Sequence, residues 1–317
     1  MSDLKWSYGL NQWRQGHDMF VRPEQHERAL KTCAVSGFKA VELKAGFGRW
    51  EPLGNREMID VNWGSVAGLR SFLKACAIDQ VSSFLFEPSA FVSLKDSMPM
   101  SAANPVHYAE IADLVQEYVE LLAELGGNRV VVAASPAWWR FPDAPADLMS
   151  NLAACWNGAA ERARGSGVKI GLHLDCLASV RTPDSIGRLL DATDKDTVGL
   201  AIDTAEYTLA KLDPLAAYET FKGRVNHWQF KNVKTTDELD EYKLKNAEHH
   251  FLMAGGKREI ERWFWEMDAA GGLVDFPAIA SALKHDGYDG WVVVESDQTP
   301  YPATSCMLNG WYVKHRL

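Results

Sequence analysis

The sequence contains little of what marks a secreted, membrane-spanning or nucleic-acid-binding protein. Its five cysteines among 317 residues are odd in number and widely spaced, and none forms a paired metal or redox motif. No run approaches the ~18 apolar residues of a membrane span, and the first residues lack the pattern of a secretory signal. The formal net charge of −9 argues against nucleic-acid and anionic membrane partners. We therefore expect reduced cysteines and a cytoplasmic protein.

Linkers, low-complexity stretches and blocks of like charge are also missing, so no boundary divides the chain. One hydrophobic core usually reaches its limit at about 250–300 residues, and α/β barrels fill that range as one domain. With 47% hydrophobic residues to supply a core, we expect a single domain over residues 1–317.

Eight short apolar segments alternate with segments of helical periodicity. The predicted strands are 7–12, 40–44, 80–86, 129–134, 169–175, 198–203, 225–231 and 290–295, and the predicted helices are 23–36, 104–126, 147–165, 182–192, 213–221 and 276–285. Several strands are apolar up to a terminal polar residue, which is typical of parallel strands buried on both faces. This alternation fits a closed barrel or an open doubly wound sheet. Because the first strand is not followed by the Gly-x-Gly-x-x-Gly turn of a dinucleotide-binding sheet, we predict a (β/α)8 TIM barrel.

A long segment, 233–273, follows the predicted seventh strand. It contains Glu248-His249-His250, a Gly255-Gly256 pair and a Trp263-Phe264-Trp265 cluster. Loops of this length are usually lids, oligomer contacts or disordered inserts. In a barrel this one would emerge on the active-site face, so we interpret it as a lid-like insertion.

Polar residues end four of the predicted strands, at the edge where barrel enzymes carry their active sites. They are His173 and Asp175 in strand five, Asp203 in strand six, Gln229 and Lys231 in strand seven, and Glu295 in strand eight. Residues two apart in a strand share a face, so His173 and Asp175 are expected to point the same way.

Each of these residues has a structural interpretation when taken alone, as a hydrogen-bonded histidine or a helix-capping aspartate. As a set they have another, because buried carboxylates are costly unless they are paired or bound to a metal. Asp203 and Glu295, with one imidazole and one amide oxygen, would suit Mn²⁺, Mg²⁺, Co²⁺ or Zn²⁺. We therefore predict one divalent metal ion.

Several stretches of the second half resemble the xylose-isomerase-like barrel superfamily, and within it the inosose dehydratases and related sugar isomerases and epimerases. These stretches are 169–175, 181–186, 198–204, 224–232, 272–276 and 287–298, and residues 36–42 look like the family's second strand. The resemblance implies that His173, Asp203, Gln229 and Glu295 hold the metal, where the family usually has Glu, Asp, His and Glu. Gln229 and Glu206 stand where histidines are common, and Asp175 replaces the second histidine of a His-x-His pattern.

The resemblance also implies an enzyme of carbohydrate metabolism. The preferred reaction is a metal-dependent β-elimination through an enolate, on an inosose, a 3-keto-sugar or a 3-keto-glycoside. Lys231 would steady the enolate oxygen, and His173 or Asp175 would act as base or acid, whichever the metal leaves free. Glu295 is assigned to both metal binding and catalysis.

Four further residues are candidates for substrate contacts. Trp13 and Trp138 could stack on sugar C–H bonds, although most of the twelve tryptophans are expected to be ordinary core or interface residues. Glu42 is a candidate for a hydroxyl contact, with a surface charge as the alternative. Glu206 is the fourth candidate.

Two other functions remain open. The first is a sugar isomerase or epimerase on the same scaffold, and the second is a barrel subunit that needs a partner chain for activity. A homo-oligomer is also compatible with the sequence. Endonuclease activity, found in the wider superfamily, is disfavoured by the acidic balance of the chain.

Overall fold

The computed structural model describes residues 3–13, 23–46, 51, 53–141, 146–252 and 261–317. The strands are β1 (Lys5–Gly9), β2 (Ala40–Lys44), β3 (Gln80–Phe86), β4 (Arg129–Ala133), β5 (Lys169–His173), β6 (Val198–Asp203), β7 (Val225–Phe230), β8 (Asn232–Val233), β9 (Phe264–Trp265) and β10 (Trp291–Val294). The helices are α1 (Pro23–Val35), α2 (Arg56–Trp63), α3 (Val66–Ala75), α4 (Tyr108–Leu125), α5 (Leu148–Ala163), α6 (Pro183–Asp191), α7 (Thr204–Leu209), α8 (Pro214–Phe221), α9 (Ala247–Leu252), α10 (Phe276–His285) and α11 (Pro302–Arg316).

Eight of the strands form a closed parallel barrel in the order β1-β2-β3-β4-β5-β6-β7-β10. The barrel closes where β1 pairs with β10 from Lys5↔Trp291 to Tyr8↔Val294. Helices lie between successive strands, as parallel pairing requires. The predicted barrel is confirmed.

Five of the eight predicted strands have wrong bounds: those predicted at 129–134 and 290–295 are one residue too long at one or both ends, and the differences in the other three affect the site. Strand β1 covers Lys5–Gly9 instead of 7–12, because residues 10–12 turn into a short 3-10 helix. Strand β5 ends at His173 and β7 ends at Phe230, so Asp175 and Lys231 lie just beyond their strands. Side chains alternate in direction only along a strand. The alternation therefore applies to His173, the last residue of β5, but does not determine the direction of Asp175.

The outer faces of the strands carry large apolar side chains that pack against the helices. Val130, Ile170, Leu200 and Trp228 are fully buried, and Trp228 packs against Tyr218 of α8 with ring centroids 5.6 Å apart. Gly199 allows a close approach to its neighbours, since a Cβ there would lie 2.5 Å from the carbonyl oxygen of Arg224.

The segment 233–273 contains regular structure beside the barrel mouth. Strand β8 pairs with β9 in antiparallel register, and Phe251 of α9 stacks on Trp263 with ring centroids 4.5 Å apart. Glu248 accepts hydrogen bonds from Trp139 and Arg140 of the loop after β4. The Gly255-Gly256 pair of this segment lies outside the described residues. Within the described ranges, none of the helices combines the length and apolar character needed to span a bilayer.

Candidate active site

A cavity of about 580 Å³ opens at the carboxyl ends of the barrel strands. Its wall includes the predicted site residues His173, Asp175, Glu206, Gln229, Lys231 and Glu295, together with Trp13. Phe251 and Phe264 of the segment after β7 also line it. The volume lies in the range of small-molecule sites, so the cavity can hold a sugar-sized ligand.

The ammonium group of Lys231 lies at the centre of a ring of acidic side chains. Its Nζ atom is 2.7 Å from Asp297 Oδ2, 3.0 Å from Asp203 Oδ2, 3.0 Å from Glu295 Oε1 and 3.4 Å from Glu206 Oε1. Burial alone would lower the pKa of Lys231, but these carboxylates together hold it well above its usual value. The side chain is 3% exposed, and it carries a full positive charge at neutral pH.

Backbone contacts fix Lys231 in this position. Thr204, the first residue of α7, donates its hydroxyl to the carbonyl oxygen of Lys231 at 2.7 Å and accepts the Lys231 N–H at 3.0 Å. The ring of Phe264 covers the ammonium, with its centroid 4.2 Å from Nζ. The ammonium is therefore held between the strand ends of β6, β7 and β10.

Asp203 has two separate roles at the end of β6. Its Oδ1 atom caps α7 by accepting the N–H groups of Ala205 and Glu206, both at 2.9 Å. Its Oδ2 atom faces Lys231 and lies 3.5 Å from His173 Nε2. Burial raises the pKa of Asp203, but the charges of Lys231 and His173 outweigh it and the pKa is lowered.

His173 is an imidazolium at neutral pH in this arrangement. Burial lowers its pKa, while the contact with Asp203 and the charge of Glu206 raise it to about 9. Asp175, two residues on, accepts the N–H of Leu177 at 2.8 Å. Burial and the charge of Glu206 raise the pKa of Asp175 to about 7. The cavity wall therefore carries an acid and a base with pKa values on either side of 8.

Glu295 connects the ammonium to the end of β1. Its Oε1 atom contacts Lys231, and its Oε2 atom accepts a hydrogen bond from Asn11 at 2.9 Å. Burial and the charge of Asp297 raise the pKa of Glu295, and the charge of Lys231 opposes this rise.

Glu42 lies inside the barrel and not on the protein surface. It is 2% exposed, and it accepts hydrogen bonds from Ser83 at 2.6 Å and from Gln229 Nε2 at 2.7 Å. His227 Nε2 lies 3.0 Å from Glu42 Oε2, the oxygen that also accepts the Ser83 hydroxyl. These contacts lower the pKa of Glu42 although burial raises it. Glu42 is not among the described residues that form the cavity wall, and its contact with Gln229 places it directly behind that wall, which argues against a direct contact with a substrate hydroxyl.

The two predicted tryptophans are placed differently. Trp13 lines the cavity and packs edge-on against Tyr8, with centroids 5.8 Å apart. Trp138 packs edge-on against Tyr242 at 5.6 Å and is not part of the wall that the described residues form. Trp13 thus remains a candidate for substrate stacking, whereas the placement of Trp138 argues against that role.

Three site residues were missed by the sequence reasoning: Asn11, Asp297 and Glu248. Asp297 could have been found, because it lies two residues after Glu295 in a polar run that ends a predicted strand. Asn11 and Glu248 carry no comparable local signal, since Asn11 meets Glu295 from 284 positions away in the chain.

The predicted metal ligands do not fit a divalent ion in this arrangement. Among the described residues, no three His, Cys, Asp or Glu side chains are grouped as metal ligands would be. The oxygens of Asp203 and Glu295 that face the centre both contact the Lys231 ammonium at 3.0 Å. Gln229 Oε1 is buried and has no hydrogen-bond partner among the described residues. That oxygen can accept a bond from a substrate hydroxyl.

Residues 30–306 match the family described as xylose isomerase-like TIM barrel. The chain belongs to this family. Among curated relatives, the inosose dehydratase of Lacticaseibacillus casei is 26% identical over 280 residues, which cover 87% of this chain and 84% of the relative. The relatives at this level of similarity are enzymes.

Solved structures agree on the architecture. A probable 3-DHS dehydratase, AsbF of Bacillus anthracis, superposes with a TM-score of 0.72 at 13% identity, covering 99% of this chain and all of that one. The D-allulose 3-epimerase of Methylomonas sp., in complex with D-allulose, gives a TM-score of 0.67 at 15% identity, covering 100% and 98% of the two chains. At these identities the similarity shows the fold alone.

Proposed function

We propose that this protein is a lyase that removes water from a keto-cyclitol such as an inosose, or a β-substituent from a 3-keto-sugar or 3-keto-glycoside. The observation that carries the proposal is the placement of one ammonium, one imidazolium and one carboxyl group on the wall of a single cavity, as Lys231, His173 and Asp175. The similarity to inosose dehydratases over most of both chains supports elimination as the reaction.

The first step is removal of the proton next to the substrate ketone. Asp175 is the base in this proposal, because its pKa of about 7 leaves it partly ionised at neutral pH and strong enough to take a proton. The C–H electron pair forms a C=C bond to the carbonyl carbon. The π electrons of the C=O bond move to the oxygen, which becomes the enolate oxygen. The Lys231 ammonium donates a hydrogen bond to that oxygen and stabilises its charge.

The second step breaks the C–O bond at the β-carbon. The leaving oxygen takes a proton from the His173 imidazolium, whose pKa of about 9 keeps it charged until then. Water leaves and an enone remains, so the substrate has lost one hydrogen and one hydroxyl in total. A proton passes from Asp175 to His173 through solvent and restores both groups.

Substrate orientation is assigned to the remaining wall residues. The free Gln229 Oε1 accepts a hydroxyl, and Glu42 holds the amide in the required direction. Trp13 offers a flat face to C–H bonds. The divalent metal ion predicted from the sequence is the rival source of the positive charge that this proposal gives to Lys231.

The test is turnover of a 2-keto-cyclitol and of a 3-keto-glucoside in deuterated water, followed by mass spectrometry. Elimination gives a product that lacks water or the aglycone. Asp175→Asn should abolish it, while Lys169→Met, an exposed substitution at the opposite end of β5, should not. Absence of turnover with every keto-polyol would contradict the proposal.

The second candidate is an epimerase, in which the proton taken by Asp175 returns to the other face of the enolate and no C–O bond breaks. An epimerase would incorporate solvent deuterium into the sugar, and the sugar would not lose water. A subunit that requires a partner would show neither result until a second protein is added.

A further inference from the structure

We infer that Lys231 replaces the divalent metal ion in this protein, so that a fixed ammonium supplies the positive charge of the active site. The role of that charge in enolate stabilisation rests on the proposed function. The absence of a metal centre is a separate claim and is tested without substrate.

The Lys231 ammonium lies among the oxygens that would bind a metal ion. Lys231 Nζ is 3.0 Å from each of the two carboxylate oxygens that a metal would use, on Asp203 and Glu295. Metal–oxygen bonds of this kind are about 2.0–2.2 Å long. A metal ion bound to either oxygen would therefore lie within about 5 Å of the ammonium. Two cations so close would repel each other strongly at a position where the side chains are almost fully buried.

The set of donor side chains also departs from the one that the family resemblance implies. Gln229 stands where the metal set implied by the family resemblance has its histidine, so that imidazole ligand is lost, and Glu206 stands where a further histidine is common. Gln229 directs its amide nitrogen to Glu42 at 2.7 Å. Glu206 directs a carboxylate oxygen towards the ammonium, 3.4 Å away. One replacement removes a strong ligand for transition metals, and the other adds a counter-charge for Lys231.

The residues around the ammonium hold it in a fixed position. Thr204 holds the backbone of Lys231 on both its N–H and its carbonyl side. The ring of Phe264 closes over the amine, and the side chain contacts carboxylates from the ends of β6 and β10. A charge held this way needs little reorganisation when an enolate forms next to it. A chelator cannot remove it.

The experiment measures metal binding to the full chain after treatment with a chelator. Titration calorimetry and thermal unfolding with MnCl2, MgCl2, CoCl2 or ZnCl2 should give no saturable heat and no rise in Tm for the wild type. Lys231→Met removes the ammonium and leaves its four carboxylate partners in place. This variant should bind Mn²⁺ saturably, with a measurable heat of binding and a rise in Tm that the wild type does not show. The control Lys169→Met should behave as the wild type does.

Saturable Mn²⁺ binding by the wild type that disappears in Asp203→Asn would overturn the inference. If Lys231→Met folds only when Mn²⁺ is present, that result supports it. If the variant does not fold at all, the wild-type titration decides, and Lys231→Arg should keep the charge and bind no metal.

The outcomes separate this inference from the proposed function. A wild type that binds no metal and dehydrates no keto-polyol would refute the proposed function alone. Dehydration that stops on chelation and returns with Mn²⁺ would refute the inference alone.

Discussion

Replacing Lys231 by methionine should destabilise the fold, and replacing Asp203 by asparagine in the same chain should recover part of the loss. The methionine leaves four buried or half-buried carboxylates facing each other without their shared cation. Asparagine removes one of these charges. Its side-chain oxygen can still cap α7, since Asn and Asp are about equally good helix caps. The pair of substitutions therefore isolates the ionic contact.

The distance between the two groups sets the magnitude. At 3.0 Å and an effective dielectric constant of about 20, the attraction between Lys231 Nζ and Asp203 Oδ2 is about 5 kcal/mol. Desolvation offsets part of this attraction, and removing one partner of a buried ion pair costs about 3–5 kcal/mol. We expect Lys231→Met to lose that amount. The coupling between the two substitutions should be about 2–3 kcal/mol, within the range measured for contacting residues.

The assay is urea unfolding followed by tryptophan fluorescence, with a chelator present so that no metal occupies the vacated position. The twelve tryptophans supply the signal, and a second probe checks that unfolding is two-state. Asp213→Asn is the matched control, because Asp213 caps α8 in the same way but is exposed and bonds only to Leu215 and Ala216 in this capping role. Each aspartate substitution is combined with Lys231→Met, and the changes in the free energy of unfolding are compared. If the effects of Lys231→Met and Asp203→Asn add within about 0.5 kcal/mol, as those of Lys231→Met and Asp213→Asn should, the ammonium and the carboxylate do not interact and the prediction is wrong.

Two further predictions concern chemistry and packing. The rate of dehydration should rise as pH increases through about 7, when Asp175 ionises, and fall through about 9, when His173 loses its proton. Asp175→Asn should lower kcat by about 10²–10⁴ and remove the lower limb; an unchanged pH–rate profile would exclude Asp175 as the base. Gly199→Ala should lower the midpoint of unfolding strongly, because its Cβ would meet the Arg224 carbonyl oxygen at 2.5 Å. Gly158→Ala, on a helix with no described atom near its added Cβ, should be stabilising by about 0.5–1 kcal/mol.

The barrel could be predicted because burial on both faces leaves a strong pattern in sequence. The strands 40–44, 80–86 and 198–203 were predicted with the bounds that the structure has. The ends of β5 and β7 were not, since a polar residue after an apolar run reads as part of the strand. Short helices such as α7 carry too few residues for helical periodicity to show.

The site was predictable as a set of strand ends and not as a set of contacts. The sequence predicted that His173, Asp203 and Glu295 lie together. His173 and Glu295 line the cavity, and the fully buried Asp203 contacts the lining residues His173 and Lys231. It did not reveal that Lys231 lies between the two carboxylates, because the reach of a flexible side chain depends on what surrounds it in space. A single domain over 1–317, a cytoplasmic location and a homo-oligomer or partner subunit stay predictions.

The two proposals constrain each other through the number of oxygens that the cation must hold. Isomerisation moves a proton between two adjacent oxygen-bearing carbons, and a metal ion assists by binding both oxygens at once. A lysine ammonium is a compact charge with three protons, and at Lys231 four carboxylates already compete for them. It can release one hydrogen bond to one enolate oxygen more readily than it can chelate two. Elimination needs only that one oxygen stabilised, provided that an acid such as His173 protonates the departing group. A site in which Lys231 takes the place of the metal ion is therefore better suited to eliminating water from the substrate than to moving the substrate's carbonyl group to the neighbouring carbon.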